Sequence, residues 1–218
     1  MRLSLLQPRI IRGNIEHNLE AIQRLVNESK GDLLVLAEYA LTGSLVLDLE
    51  ADVRDWALRS AKAKARINVP AGKHLLINTL AEFDGNLHNC CELLPTGECY
   101  CKLFPDQTEM DAGILPGTEQ KVFELSGKRF KVVICYDLPH MDKIPTDNVD
   151  FLLFIYHFTD DNFSRVMQEI KKVSKARGLR VLASSLVSDK NSGLSSFVDG
   201  DVIVSLPRRE GILEVEIE

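Results

Sequence analysis

Two uninterrupted apolar runs constrain this chain more than any other feature. Leu33-Leu34-Val35-Leu36-Ala37 holds no polar side chain, and residues 150–156 carry Phe-Leu-Leu-Phe-Ile at their centre. A strand without polar alternation is buried on both faces, so its sheet needs a covering layer on each side. The covering layers are readable too. Asn14 is a helix N-cap, and Ile15, Leu19, Ile22, Leu25 and Val26 follow at helical spacing towards a stop at Gly31. Residues 52–66 form a second helix with an Ala-rich face. Phe163, Val166, Met167, Ile170 and Val173 mark a third, ending at Gly178.

Between and after these helices the chain is strand-rich. Asp84-Gly85-Asn86 joins His74–Phe83 to residues 87–94, and Ser126-Gly127-Lys128 joins residues 121–125 to 129–135, both as hairpins. A third strand, residues 99–104, lies between these hairpins. Further strands follow over residues 180–186, 194–199, 202–206 and 212–217. The pattern predicts one mixed α/β layered domain over residues 1–218, with helices on sheet faces. Periodicity does not distinguish one sheet from two.

Charge narrows the function. Lys and Arg number 26 against 32 Asp and Glu, a net charge of −6. No basic stripe is present, and Lys171, Lys172, Lys175, Arg177 and Arg180 read as a solvated helix face, so nucleic acid is not an expected partner. The apolar start Leu3-Ser4-Leu5-Leu6 is broken by Gln7-Pro8, too short for a leader or a membrane span. A cytoplasmic protein whose five cysteines are free thiols is the expectation.

Three residues at strand ends could carry chemistry. Glu38 follows the first apolar run, where burial would raise its pKa and suit it to accept a proton. Lys102 closes the strand bearing Cys99-Tyr100-Cys101. Cys135 ends Lys131-Val132-Val133-Ile134, with a turn behind it whose N–H groups could face an oxyanion. His140 and His157 are alternative partners for Cys135, but Ile134 and Tyr136 stand where a glycine-flanked nucleophile elbow is wanted. Cys90, Cys91, Cys99 and Cys101, with His88 nearby, occur as C-C and C-x-C, not the C-x-x-C of zinc knuckles. That spacing spreads side chains over both strand faces, so packing and no metal is expected.

Taken together, the surrounding words resemble the nitrilase superfamily of carbon–nitrogen hydrolases. "LLVLAEYALTG" is similar to the segment carrying that family's general base, "CYCKLFPDQTEMDAGILPG" to its lysine segment, and "FKVVICYDLP" to its nucleophile segment. "RLSLLQ", "SKARGLRVLASS" and the closing "SSFVDGDVIV…EGILEVEIE" agree in order, so the resemblance covers nearly the whole chain.

The resemblance implies a four-layer α-β-β-α sandwich, commonly a homodimer, with no metal or organic cofactor. It implies Cys135 as nucleophile, Glu38 as general base, Lys102 as oxyanion stabiliser and Glu109 as the second Glu that orients the lysine. A small amide or carbamoyl compound and water are then the reactants, with a nitrile ranked lower. A non-catalytic metabolite- or partner-binding protein and an acyltransferase are the alternatives. The chain departs from the family at Leu138-Pro139-His140-Met141, at Tyr156-His157-Phe158 and at Ser184-Ser185. Tyr39, Tyr136, His157 and Phe158 are the residues expected to line the pocket.

Overall fold

The computed structural model describes residues 1–44 and 52–218. Two six-stranded sheets form the centre. In chain order the strands are β1 (Arg2–Gln7), β2 (Leu33–Val35), β3 (His74–Phe83), β4 (Asn86–Leu94), β5 (Glu98–Cys101), β6 (Val122–Leu125), β7 (Lys128–Ile134), β8 (Phe151–Ile155), β9 (Arg180–Ser184), β10 (Ser196–Asp199), β11 (Val202–Ser205) and β12 (Gly211–Glu216). The first sheet runs β12-β1-β2-β3-β4-β5 and the second β11-β10-β9-β8-β7-β6. The question that periodicity left open is thus answered with two sheets.

Each sheet is parallel at its centre and antiparallel at its margins. β1, β2 and β3 are parallel, as are β7, β8 and β9. The middle strand of each parallel stretch, β2 and β8, is one of the two apolar runs, covered on both faces. Leu3, Leu5, Leu33, Val35 and Leu76 of the first sheet share one core with Val132, Ile134, Leu153 and Leu182 of the second. Ser184 Oγ bridges the layers by donating to the Val35 carbonyl at 3.2 Å.

Helices cover the outer faces. α1 (Ile15–Glu28) is capped by Asn14, whose side chain accepts from the His17 N–H. It lays Leu19, Ile22, Leu25 and Val26 against Leu6, Leu34, Leu36 and Ile77. The helix stops at Ser29, two residues before the expected Gly31, because the chain has already turned extended there. α2 (Val53–Lys64), capped by Asp52, packs beside it on β3. α3 (Gln107–Asp111) is a single turn after β5. α4 (Asp160–Arg177) covers the second sheet through Val166, Met167 and Ile170 and ends at Gly178, whose φ of 61° gives it a left-handed cap. The order from outside to outside is helix, sheet, sheet, helix.

The expectation of five free thiols needs correcting. Cys90 and Cys101 face each other directly in the β4–β5 register and form a disulfide, with Cα atoms 4.0 Å apart. Cys91, Cys99 and Cys135 are free. The hairpin cysteines do occupy both strand faces as expected, divided one to three. Alternation places Cys91 with Tyr100 in the inter-sheet core, and cross-strand pairing gathers the other three on the opposite face.

Candidate active site

The site forms where the parallel strands of both sheets end. β2 stops at Val35, shorter than its apolar run, and the chain bends so that Glu38 turns inward. Tyr39 then takes φ 54°, a left-handed conformation, and its N–H is satisfied by Asn78 Oδ1 of β3 at 2.9 Å. Across the gap, β7 ends at Ile134 and the chain turns into a short 3-10 helix, Cys135–His140. Cys135 has φ 44°. A non-glycine residue in that region costs on the order of 1–3 kcal/mol, retained where surrounding contacts fix it.

Those contacts centre on Asp137, to which the sequence reading gave no role. Its fully buried carboxylate accepts from the Ile134 N–H at 3.1 Å, Leu103 N–H at 3.1 Å, Phe104 N–H at 2.9 Å and Tyr100 Oη at 2.7 Å. One side chain therefore ties the start of the Cys135 turn to the segment that follows Lys102. Burial raises the Asp137 carboxyl, while Tyr100 and the backbone donors oppose that rise.

Lys102 sits between two carboxylates. Its ammonium donates to Glu109 Oε2 at 2.6 Å and to Glu38 Oε1 at 3.3 Å, with all three side chains no more than 3% exposed. Glu109 is held by α3. Asp106 accepts from the Glu109 N–H while Glu109 accepts from the Asp106 N–H, both at 2.9 Å, a reciprocal capping box. Asn89 of β4 donates one amide group to both carboxylates, to Glu38 at 2.9 Å and Glu109 at 2.7 Å. Asn78 donates to Asn89 Oδ1, and Tyr39 Oη donates to Glu109 Oε1 at 2.9 Å. Gly117 lies close against the backbone that carries Lys102. Its N–H donates to the Lys102 carbonyl, and a Cβ there would lie 2.3 Å from the Cys101 carbonyl oxygen, so no other residue fits.

The electrostatics separate the two carboxylates. Burial pushes the Glu38 carboxyl from its ordinary 4.5 to about 7, with Lys102 opposing and Glu109 adding to the rise. Burial acts on Glu109 in the same direction, but Lys102 and the Asn89 donor outweigh it and hold it below the usual range. Burial alone would lower the Lys102 ammonium, yet Glu38, Cys135 and Glu109 together hold it above its ordinary value. The Cys135 thiol is pushed up by burial and by the Glu38 charge it faces, with Lys102 acting against both. Burial pushes the Tyr39 hydroxyl up as well.

The structure thus brings together Glu38, Lys102, Glu109, Cys135 and Tyr39. The other residues expected in the pocket lie outside this hydrogen-bonded cluster. Tyr136 is 44% exposed and meets the His140 ring edge-on. His157, whose imidazole is pushed down to about 4 by burial, borders a small cavity with Arg12, Gly43 and Ser44. Phe158 packs on Phe154 and Tyr156. Asn78, Asn89 and Asp137 are the site residues that sequence reasoning missed.

No family model and no curated protein matches the sequence. Solved structures do. An amidase of the nitrilase superfamily from Nesterenkonia AN1, as a cysteine-to-serine mutant, superposes with TM-score 0.84 at 19% identity, over 100% of this chain and 92% of that one. XC1258 from Xanthomonas campestris, a CN-hydrolase superfamily protein with an arsenic adduct in its active site, gives 0.78 at 18%, over 100% and 90%. This chain has the nitrilase-superfamily fold. The glutamine-dependent NAD+ synthetase of Acinetobacter baumannii gives 0.82 at 20%, covering 98% of this chain. The chain spans only 44% of that larger protein. The α-β-β-α layering expected from the nitrilase resemblance is therefore the layering found. Among the described residues, no helix is long and apolar enough to cross a membrane.

Proposed function

We propose that this chain hydrolyses the carbon–nitrogen bond of a small amide or carbamoyl compound through a thioester on Cys135. The observation that carries the reading is the buried Glu38–Lys102–Glu109 cluster facing the Cys135 thiol. Glu38 takes the thiol proton as the sulfur attacks the carbonyl carbon. A carboxyl near 7 suits that task, since it accepts a proton and returns it near neutrality. The tetrahedral oxyanion faces the Lys102 ammonium, a full charge in a site with little water to screen it. Glu109, kept ionised by Lys102, Asn89 and Tyr39, keeps that lysine protonated and aimed.

Collapse of the intermediate breaks the carbon–nitrogen bond. The amine leaves with the proton from Glu38, and the acyl group stays on sulfur. Glu38 then deprotonates water, which attacks the thioester and releases the acid and the free thiol. The proton that leaves with the amine comes from the thiol by way of Glu38, and the proton that Glu38 takes from water restores it to the sulfur. The nitrilase-superfamily amidase from Nesterenkonia, in a glutamate-to-glutamine mutant, carries acrylamide added at its active-site cysteine, which supports a small amide as the substrate class here.

The test is a panel of primary amides, ω-amides and N-carbamoyl amino acids, scored by ammonia release. At least one class turns over in the wild type and none in Cys135→Ala. Full turnover by Cys135→Ala would overturn the proposal. Product carrying the acyl group on added hydroxylamine in preference to water would make the chain an acyltransferase on the same residues. Tight binding without turnover would make it a binding protein.

A further inference from the structure

The hairpin cysteines form a second cluster of sulfur atoms. Cys90 lies on β4, and Cys99 and Cys101 lie on β5, the edge strand of the first sheet. The register pairs Cys90 with Cys101 and Glu92 with Cys99, so all three sulfurs stand on the face that carries α2. Cys99 Sγ is 4.0 Å from Cys101 Sγ, and the three sulfurs lie within 4.8 Å of one another. Cys99 and Cys101 are half-exposed, and Cys90 is buried beneath them.

The spacing that argues against a zinc knuckle along one strand does not argue against a site assembled across two. Three thiolates around one metal at the usual Zn–S length of about 2.3 Å stand about 3.8–4.0 Å apart, in tetrahedral or trigonal arrangement. Cys99 and Cys101 already have that separation. Cys90 reaches it when its bond to Cys101 opens, because two unbonded sulfurs settle near van der Waals contact.

We propose that in its reduced state the β4–β5 hairpin is a three-thiolate site for a thiophilic d10 cation of the zinc class, held by Cys90, Cys99 and Cys101. Formation has two balanced steps. Two equivalents of a small thiol reduce the Cys90–Cys101 disulfide, giving two cysteine thiols and one small-molecule disulfide. The divalent cation then displaces three protons to form a trithiolate complex of charge −1, with solvent water in any fourth position. The charge of the cation itself makes the thiolates. The site pins β4 to β5 one residue from Asn89 and one from Lys102, so a bound ion staples the strands that carry both.

The experiment titrates the full chain with Cd2+, following the thiolate-to-cadmium charge-transfer band, after reduction by a small thiol and its anaerobic removal. One Cd2+ per chain is expected, displaceable by Zn2+. The disulfide form of the same protein gives no band, since two of its three ligands are blocked. Cys99→Ser weakens binding at least as much as the about 10–100-fold that losing a mere outer-shell partner costs a metal site. Cys135→Ser leaves the band unchanged. A reduced chain without a band, an equal band in the disulfide form, an undiminished band in Cys99→Ser, or its loss in Cys135→Ser overturns the proposal. The comparison of reduced with oxidised wild type needs no variant, so misfolding of a mutant cannot mask the result.

Discussion

Glu38→Gln makes the electrostatics of the site measurable as stability. In the folded chain the Glu38 carboxyl is raised by burial from 4.5 to about 7, so the folded state holds this proton more tightly than the unfolded state does. Stability is then lost as pH rises from the unfolded value through the folded one. At 1.36 kcal/mol per pKa unit, the full loss is on the order of 3 kcal/mol above pH 7, and only about 1 kcal/mol by pH 5. Glutamine has the shape of the protonated acid. Its Oε1 can still accept from Asn89 and Lys102, the two donors that Glu38 Oε1 accepts from now. Glu38→Gln therefore stabilises the fold more at pH 8 than at pH 5, by roughly 2–3 kcal/mol. For a chain of this size that is about 5–10 °C of extra Tm shift. Thermal melts of both proteins at the two pH values give the number directly. An equal shift at both, or a variant less stable than wild type at pH 8, would refute the reasoning that burial of charge, and not its pairing with Lys102, dominates at Glu38.

Three further outcomes follow from the same geometry. With a turned-over amide, kcat/KM rises with pH along a limb of apparent pKa near 7, as Glu38 loses its proton; a profile flat through neutrality contradicts its role as base. Asp137→Asn replaces one acceptor oxygen by a donor among four hydrogen bonds and costs about 2–4 kcal/mol in denaturant melts. Activity falls with it, because the Lys102 and Cys135 segments lose their common tie. Tyr39→Phe removes one donor from Glu109 and leaves that of Asn89, so stability falls by about 1 kcal/mol and Glu109 titrates at a higher pH than in wild type, as followed by carboxyl NMR.

Much of the layering is legible in the sequence, because β2 and β8, the middle strands of the two parallel stretches, lie in uninterrupted apolar runs and α1 and α4 show one apolar face each. The strand ends are less so. β2 stops two residues before its apolar run does: Leu36 still donates its N–H to the Leu76 carbonyl of β3, the chain then turns to deliver Glu38 inward, and a buried turn is as apolar as a buried strand. Glu38, Lys102 and Cys135 stand out at strand ends, and the nitrilase resemblance gathers them with Glu109. Asn78 and Asn89 are concealed because a polar residue inside a strand normally points to solvent, and here both point to buried carboxylates or their partners. The signal for α3 was present in Asp106-Gln107-Thr108-Glu109, an acid three residues before a glutamate, which is the capping-box pattern. The cysteine pairing escaped for a different reason. Residue spacing along one strand carries no information about which cysteine on the neighbouring strand stands opposite.

The central claim is covalent catalysis at Cys135, and intact-mass analysis of an acid-quenched reaction tests it most directly. With a substrate from the amide panel, the chain gains the mass of one acyl group, peptide mapping puts it on Cys135, and Cys135→Ala gains nothing. An adduct on Cys91 or Cys99 in place of Cys135, or turnover by Cys135→Ala at the wild-type rate, contradicts the account.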